Sequence, residues 1–201
     1  MLTKLPRRRC CTLYPALPTG NYRTEKFIFP PIFSMYVLTL PSKSARGHAK
    51  NIGVSLQKLL MNMGIEDMIF MGDSTLPWLY RSSDYAPAKK AMQYLVNTAI
   101  NKTFNGGLIV PVNETHVFIK NLFWLVRTNT IIQCVYGTDA GQHILINVCQ
   151  YGSVHVSMLD EGADKLFNQC LPVSNFQLRK GDTCYSPWAK SSAIPGRTTI
   201  V

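Results

Sequence analysis

The sequence predicts an α+β fold in which an antiparallel sheet is packed by two to three helices. The predicted order is strand, helix, strand, helix, then a run of strands and a last helix, so that helices lie early and strands late, whereas a doubly wound fold would alternate them throughout. Residues 113–159 are rich in Val, Ile, Phe, Trp and Tyr and are interrupted by turn residues at regular intervals. This composition is typical of a β-meander, so we expect a meander in the C-terminal half.

The first predicted elements are a strand and a helix. Residues 34–40 form a strand candidate, because aromatic and aliphatic side chains are concentrated there and a proline follows. Ser42 or Ser44 can cap a helix that runs to about residue 63, since its apolar residues recur at helical spacing. Gly64 then ends this helix.

A second strand and a second helix follow. Residues 66–71 predict a short strand. The next helix has Asp84 as its N-cap candidate and Pro87 in its first turn, and it runs to about residue 102. Residues 108–112 then begin the main sheet.

The predicted meander contains three strand patterns. Residues 117–126 are apolar at both odd and even positions, which favours a central strand covered on both faces. Residues 144–148 and 154–158 alternate apolar and polar side chains, which is typical of strands with one wetter face. Residues 160–170 predict a last helix capped by Asp160.

Positive charge is concentrated at the two ends of the chain. The net charge is +10. Residues 1–50 hold nine Lys and Arg against one acid, and residues 171–201 hold four against one, while the middle is close to neutral. Any basic surface for nucleic acid or another anionic partner is therefore expected to come mainly from the ends.

This pattern divides the chain into three segments. We expect a basic, proline-rich and irregular N-terminal arm over residues 1–33, an α+β domain over residues 34–170, and an irregular C-terminal tail over residues 171–201. No stretch reaches the roughly 18 to 20 apolar residues of a membrane span. The six cysteines include no CxxC pair, which favours reduced thiols in a cytoplasm-like compartment. We expect no cofactor and no resident metal.

The turn Gly72-Asp73-Ser74 follows a hydrophobic strand and resembles the first sequence block of the SGNH (GDSL-type) hydrolases. In that family the serine of this block is the nucleophile, so the resemblance implies that Ser74 attacks an ester. The family's GxND and DxxH blocks have no match. The nearest acid and histidine are Asp139 and His143, and His143 would be the base that activates Ser74. A Gly-Asp-Ser sequence is also an ordinary turn, and this alternative stays open.

A second candidate site lies on the polar face of the last strands, which carries His143, Asn147, Cys149, Tyr151 and His155. Cysteine and histidine on one face can act as nucleophile and base or as metal ligands. Cys149 and His155 can approach each other only if the chain reverses between residues 151 and 153, because six residues of one strand span about 20 Å.

A third candidate site is the N-terminal arm, where cations alternate with aromatic residues. Such a segment can bind single-stranded nucleic acid through charge and stacking, or it can insert its apolar side chains into a protein partner or a second copy. We favour the protein partner. The residues concerned are Arg7, Arg8, Arg9, Arg23, Lys26, Phe27 and Phe29.

Taken together, these patterns predict a non-enzymatic binding or assembly protein whose basic arms engage a protein partner or nucleic acid. The alternative is a small serine or cysteine hydrolase that uses Ser74 or Cys149.

Overall fold

The computed structural model of the protein describes residues 2–21, 26–128, 135–179, 184–188 and 194. Ten strands and five helices lie in these ranges. The strands are β1 (Thr3–Leu5), β2 (Thr19–Asn21), β3 (Lys26–Ile28), β4 (Ser34–Thr39), β5 (Asp67–Met71), β6 (Gly107–Pro111), β7 (Tyr136–Asp139), β8 (Ile144–Val148), β9 (Val154–Met158) and β10 (Gln177–Leu178). The helices are α1 (Arg7–Leu13), α2 (Ala45–Asn62), α3 (Ala86–Asn97), α4 (Thr115–Thr128) and α5 (Glu161–Cys170).

Eight strands form one sheet in the order β1-β6-β5-β7-β8-β9-β4-β10, and each of their pairings is antiparallel. Consecutive strands β7, β8 and β9 are neighbours in this sheet, which confirms the α+β class and the C-terminal meander. Strands β2 and β3 form a separate hairpin.

The two faces of the sheet carry different cores, because successive side chains of a strand point to opposite faces. Met68 and Phe70 of β5 belong to the main core, which is packed by α2, α3, α4 and α5. Ile69 and Met71 of the same strand belong to a smaller cluster, which α1 and Leu17 cover from the other side. We call the first side the helical face and the second the N-terminal face.

The prediction of a central strand over residues 117–126 is wrong, because this segment lies within helix α4. The helix carries buried apolar side chains around most of its circumference because it packs between α2, α3 and strands β6 and β8. A buried helix, like a buried strand, therefore carries apolar residues at both odd and even positions, and this pattern alone does not distinguish them. The 14-residue length exceeds a usual strand and is the feature that distinguishes the two.

The prediction of an irregular arm over residues 1–33 also needs correction. Strand β1 pairs with β6 at one edge of the main sheet. Helix α1 buries Cys10 completely, and Leu17 is only 1% exposed. At the other end of the chain, β10 pairs with β4, so both terminal segments contribute strands to the sheet.

The predicted helix starts at α2 and α5 are confirmed by their caps. The side chain of Ser44 accepts a hydrogen bond from the backbone N–H of Gly47, and the Asp160 carboxylate accepts one from Ala163. Each bond satisfies an N–H group that the first helical turn leaves without a partner. Gly64, just beyond α2, has φ of 72°, a conformation that glycine adopts without strain.

Candidate functional site

The structure separates Ser74 from the acid and the histidine proposed for it. Asp139 lies opposite Met68, at the beginning of β5. Ser74 lies three residues beyond Met71, where β5 ends. Residues 68–71 span about 10 Å of strand, so Ser74 and the turn that carries Asp139 and His143 lie towards opposite ends of β5.

Both aspartates hold turns through their side chains. Oδ1 of Asp73 accepts hydrogen bonds from the backbone N–H groups of Thr75 and Leu76. Oδ1 of Asp139 accepts bonds from the N–H groups of His143 and Ile144. These are the local side-chain-to-backbone bonds that make aspartate a turn residue, and they give both carboxylates a structural role.

His143 is paired with Asp160 at the mouth of a cleft of about 490 Å³. Its Nδ1 lies 2.7 Å from Oδ2 of Asp160. This hydrogen bond is the main cause of a raised His143 pKa, and the charge of Asp139 adds to it. The same carboxylate caps α5 through its other oxygen. The pair therefore joins the β7–β8 turn to the start of α5.

Cys149 and His155 are brought together by the reversal that the sequence left open. Strands β8 and β9 form a hairpin in which Asn147 lies opposite His155, and Cys149 is the first residue after β8. A third group, Cys184, comes from the C-terminal segment. Its Sγ lies 3.4 Å from Nε2 of His155, and the ligand atoms of Cys149, His155 and Cys184 all lie within 4.8 Å of one another.

Backbone hydrogen bonds close the turn that follows β8. The N–H group of Gly152 donates to the carbonyl oxygen of Cys149 at 2.9 Å, the N–H group of Cys149 donates to that of Ser153 at 3.0 Å, and Gly152 has φ of 90°. A hydrogen bond between the two thiols shifts them in opposite directions: it raises the pKa of Cys149 and lowers the pKa of Cys184. The arrangement thus favours a thiolate at Cys184 rather than at Cys149, the cysteine chosen from the sequence.

The segment 184–188 is fixed to the end of the sheet by its neighbours. Arg127 at the end of α4 donates hydrogen bonds to the Ser186 hydroxyl and to the carbonyl of Gln150, both at 2.9 Å. Its guanidinium also lies over the Trp188 ring, 5.3 Å from the centroid. One cation therefore ties the tail to the hairpin turn, which is what holds Cys184 beside His155.

His48 and Ser42 form a serine–histidine pair that the sequence did not suggest. Nε2 lies 2.8 Å from the carbonyl oxygen of Gly152, so it must carry the proton, and Nδ1 accepts from the Ser42 hydroxyl at 2.8 Å. Burial is the main cause of a lowered His48 pKa. The ring is fully buried against Phe123 and Trp188. A general base has to accept a proton during the reaction, so this environment favours a structural role.

An exposed apolar surface follows the β2–β3 hairpin. Phe27 and Phe29 lie against Tyr136 of the sheet, with ring centroids 6.0 and 5.4 Å away. Beyond these contacts the segment and the first residues of β4 turn large side chains to solvent. The apolar surface consists of Ile28 (76% exposed), Phe29 (45%), Ile32 (37%), Phe33 (55%) and Met35 (73%).

The predicted basic residues of the N-terminal arm have different environments. Arg7 is engaged inside the molecule, where its guanidinium donates to the carbonyls of Gly72, Asp73 and Asn105. Arg8 and Arg9 are exposed on α1.

Two further predicted binding residues are described only in part or not at all. Arg23 lies outside the described residues. Lys26 begins β3.

A groove between α2 and α4 carries a second group of cations. Helical spacing places His116, Lys120 and Trp124 along one side of α4, and Arg46, Lys50 and Val54 line the facing side of α2. The groove encloses about 530 Å³. Within the described part of the chain, none of its three Lys and Arg side chains forms an ion pair with an acid.

Sequence reasoning missed Cys184 and the groove for identifiable reasons. Cys184 was assigned to an irregular tail, and 35 positions separate it from Cys149, so no short motif joins the two. Lys120 and Trp124 are neighbours, one turn apart, only in a helix; in the predicted strand they would share a face but lie about 13 Å apart.

The chain matches no protein-family model, and neither a curated protein nor a solved structure matches it significantly. In the part of the chain that the structure describes, no helix combines the length and the apolar character needed to cross a bilayer.

Proposed function

We propose that the protein is a non-enzymatic binding protein that docks a protein partner on its apolar surface. The observation that carries the proposal is the exposure of five large hydrophobic side chains within eight consecutive residues. Contiguous exposed apolar groups on a folded protein mark interaction sites, because each costs free energy in water that a partner can recover.

The surface is supported in the shape that a partner would meet. Phe27 and Phe29 hold the segment against Tyr136, and Pro30 and Pro31 restrict its backbone. Met35 lies on β4 opposite Ser157 and is therefore carried by the sheet. A surface that is ordered before binding loses little conformational entropy on association.

Charge favours an acidic partner over a second copy of the chain. Each copy has a net charge of +10, and two such molecules repel each other at moderate salt. Arg8 and Arg9 are exposed on α1, which packs on the same face of the sheet as Phe29. We therefore propose a partner whose apolar contact is surrounded by Asp and Glu.

Site-specific photo-crosslinking in the host cell tests this proposal. A benzophenone amino acid at position 33 lies in the apolar surface. The matched control is position 61, because Met61 (56% exposed) is as accessible as Phe33 (55%) but lies on α2, which packs on the helical face. We expect one predominant adduct from position 33, absent from position 61, whose purified partner is acidic and binds the full-length protein.

The double variant I28S/F33S should weaken that binding more than tenfold, and R8E/R9E should weaken it most at low salt. A homodimer as the main adduct, the same adducts from both positions, or no adduct at position 33 would refute the proposal.

The groove between α2 and α4 favours a second candidate function, the binding of a phosphate-bearing ligand. Gly53 packs against the backbone of His116, and His48 lies beside Phe123, so the two helices run antiparallel and Lys50 is level with Lys120. Both lysines line the groove, and an anion bound between them would offset the repulsion of their like charges. The start of α2 supplies further N–H groups, and Trp124 offers a stacking surface for a base.

Titration of full-length protein with inorganic phosphate, ATP and a fluorescein-labelled oligothymidylate tests the second function. Binding should be strongest for the oligonucleotide if the ligand is a nucleic acid, and for ATP if it is a nucleotide. Lys50→Gln and Lys120→Gln should each weaken it, whereas Lys58→Gln, an exposed lysine of α2 that does not line the groove, should not. Equal losses in all three variants would show nonspecific charge attraction and refute the groove.

A further inference from the structure

The geometry points to a zinc site formed by Cys149, His155 and Cys184. Thiolate and imidazole are the ligands that Zn²⁺ takes most often in proteins. In a tetrahedral site with Zn–S of about 2.3 Å and Zn–N of about 2.0 Å, a sulfur and a nitrogen lie about 3.5 Å apart and two sulfurs about 3.8 Å apart. The observed distance of 3.4 Å between Cys184 Sγ and His155 Nε2 fits the first value, and the limit of 4.8 Å for the whole group admits the second.

The hairpin turn holds Cys149 in position. Its N–H group donates to the carbonyl oxygen of Ser153 at 3.0 Å, and its own carbonyl oxygen accepts from the N–H group of Gly152 at 2.9 Å. The turn depends on Gly152 in its left-handed conformation, where a Cβ would also lie 2.6 Å from the His48 ring. The position of this ligand is thus held by packing and not only by local sequence.

The three ligands come from two separate parts of the chain. Cys149 and His155 belong to the β8–β9 hairpin, whereas Cys184 belongs to the segment that Arg127 and Trp188 hold over the hairpin turn. A bound ion would link the tail to the sheet. Because the three ligands already lie close together, the chain would lose little conformational entropy on binding it. Zn²⁺ would displace the two thiol protons, and the fourth coordination position is left for water or a further oxygen ligand.

Cobalt substitution tests the site in the full-length protein, reduced with a phosphine and freed of metal with a chelator. Co²⁺ should give a thiolate-to-metal charge-transfer band and the intense visible bands of a tetrahedral ion, and one equivalent of Zn²⁺ should remove both. Zn²⁺ should also protect Cys149 and Cys184 from alkylation without protecting Cys11, a cysteine of α1 whose sulfur faces Met71.

Variants distinguish loss of the site from loss of the fold. Cys184→Ser should weaken Zn²⁺ binding by more than about 100-fold, since even changes behind a ligand cost 10- to 100-fold, and Cys11→Ser should leave it unchanged. His155→Cys supplies a third thiolate, so it should keep Co²⁺ and increase the charge-transfer intensity, a gain that a misfolded protein would not show. The circular dichroism spectrum of each variant is compared with that of the wild type to establish that the variant is folded.

Three results would overturn the assignment. The first is a wild-type protein that folds, is fully reduced and gives no tetrahedral Co²⁺ spectrum. The second is a disulfide between Cys149 and Cys184, seen as a mass lower by two hydrogens, that persists when reductant and Zn²⁺ are both present. The third is an equal loss of metal in Cys11→Ser and Cys184→Ser.

Discussion

The imidazole of His48 lies against the indole of Trp188, with ring centroids 4.4 Å apart. His48 belongs to α2, and Trp188 lies four residues after Cys184 in the described range 184–188. This contact anchors the C-terminal segment to the helical layer at the same end of the sheet where the hairpin turn presents Cys149. The aromatic pair and the cysteine–histidine cluster are therefore parts of one arrangement.

Trp188→Ala should lower the free energy of unfolding by about 2 kcal/mol, since the indole packs on His48 and Phe123 but is not fully buried. The control is Tyr185→Ala, whose ring is 64% exposed and rests on Arg179, and which should cost less than about 1 kcal/mol. Urea denaturation of the metal-free proteins measures both. Equal losses would mean that Trp188 does not anchor the segment.

Acid should destabilise the protein partly through His48. Burial lowers its pKa below the usual value, so the folded state keeps the ring neutral while the unfolded state takes up a proton first. The stability contributed by the neutral ring is complete above the unfolded pKa of about 6.5 and is lost as the pH falls through the folded pKa.

His48→Gln should be less stable at pH 7 by about 1–3 kcal/mol, because it disturbs the bonds to Ser42 and Gly152. The same variant should show a weaker decline between pH 7 and pH 5 than the wild type. Denaturant midpoints across this range check the prediction, and a variant with the wild-type slope would contradict it.

Elements whose pattern is local could be predicted from the sequence. Strands β8 and β9 show alternation, α2 and α5 begin at serine and aspartate caps, and these elements lie where the pattern places them. The short strand β1 has no such signal. Three residues become a strand only because β6 offers an unpaired edge, and that edge is a property of the assembled sheet.

The candidate site was predictable only in part for the same reason. Cys149 and His155 share a hairpin, so their proximity follows from one turn. Cys184 reaches them because Arg127 and His48 position the tail, and both contacts depend on how α2 and α4 pack. Because the sequence pattern assigned residues 117–126 to a strand and not to α4, neither the tail contacts nor the basic groove could be predicted.

Asp160→Asn should lower the pKa of His143 towards its usual value of about 6.5. The carboxylate hydrogen bond is the main cause of the raised pKa, while asparagine retains the ability to cap α5. The stability that the pair contributes is present below the unfolded pKa of His143 and is lost as the pH rises through the raised folded value.

NMR titration of the imidazole protons measures this shift. Asp164→Asn is the matched control, because Asp164 lies on the same helix but its carboxylate bonds to Ser34 and Tyr36. An unchanged His143 pKa in Asp160→Asn, or an equal change in both variants, would contradict the assignment of Asp160 as its partner.

Gly53→Ala should destabilise the protein although alanine is the better helix former. Propensity alone would favour the change by roughly 1 kcal/mol. However, a Cβ at this position would meet the backbone carbonyl of His116 at a distance too short for any contact, and a backbone group cannot rotate away as a flexible side chain can. Helices α2 and α4 would have to separate, and we expect a net loss of about 1–3 kcal/mol. Gly47→Ala, on the same helix, meets only the Ser44 hydroxyl at 3.3 Å, so it should keep the propensity gain and stabilise the protein by up to about 1 kcal/mol. Urea denaturation measures the free energy of unfolding of both variants. A Gly53→Ala protein as stable as the wild type would contradict the prediction, because the packing of α2 on α4 would then not depend on this close approach. The groove between the two helices would in that case tolerate a wider spacing than the structure shows.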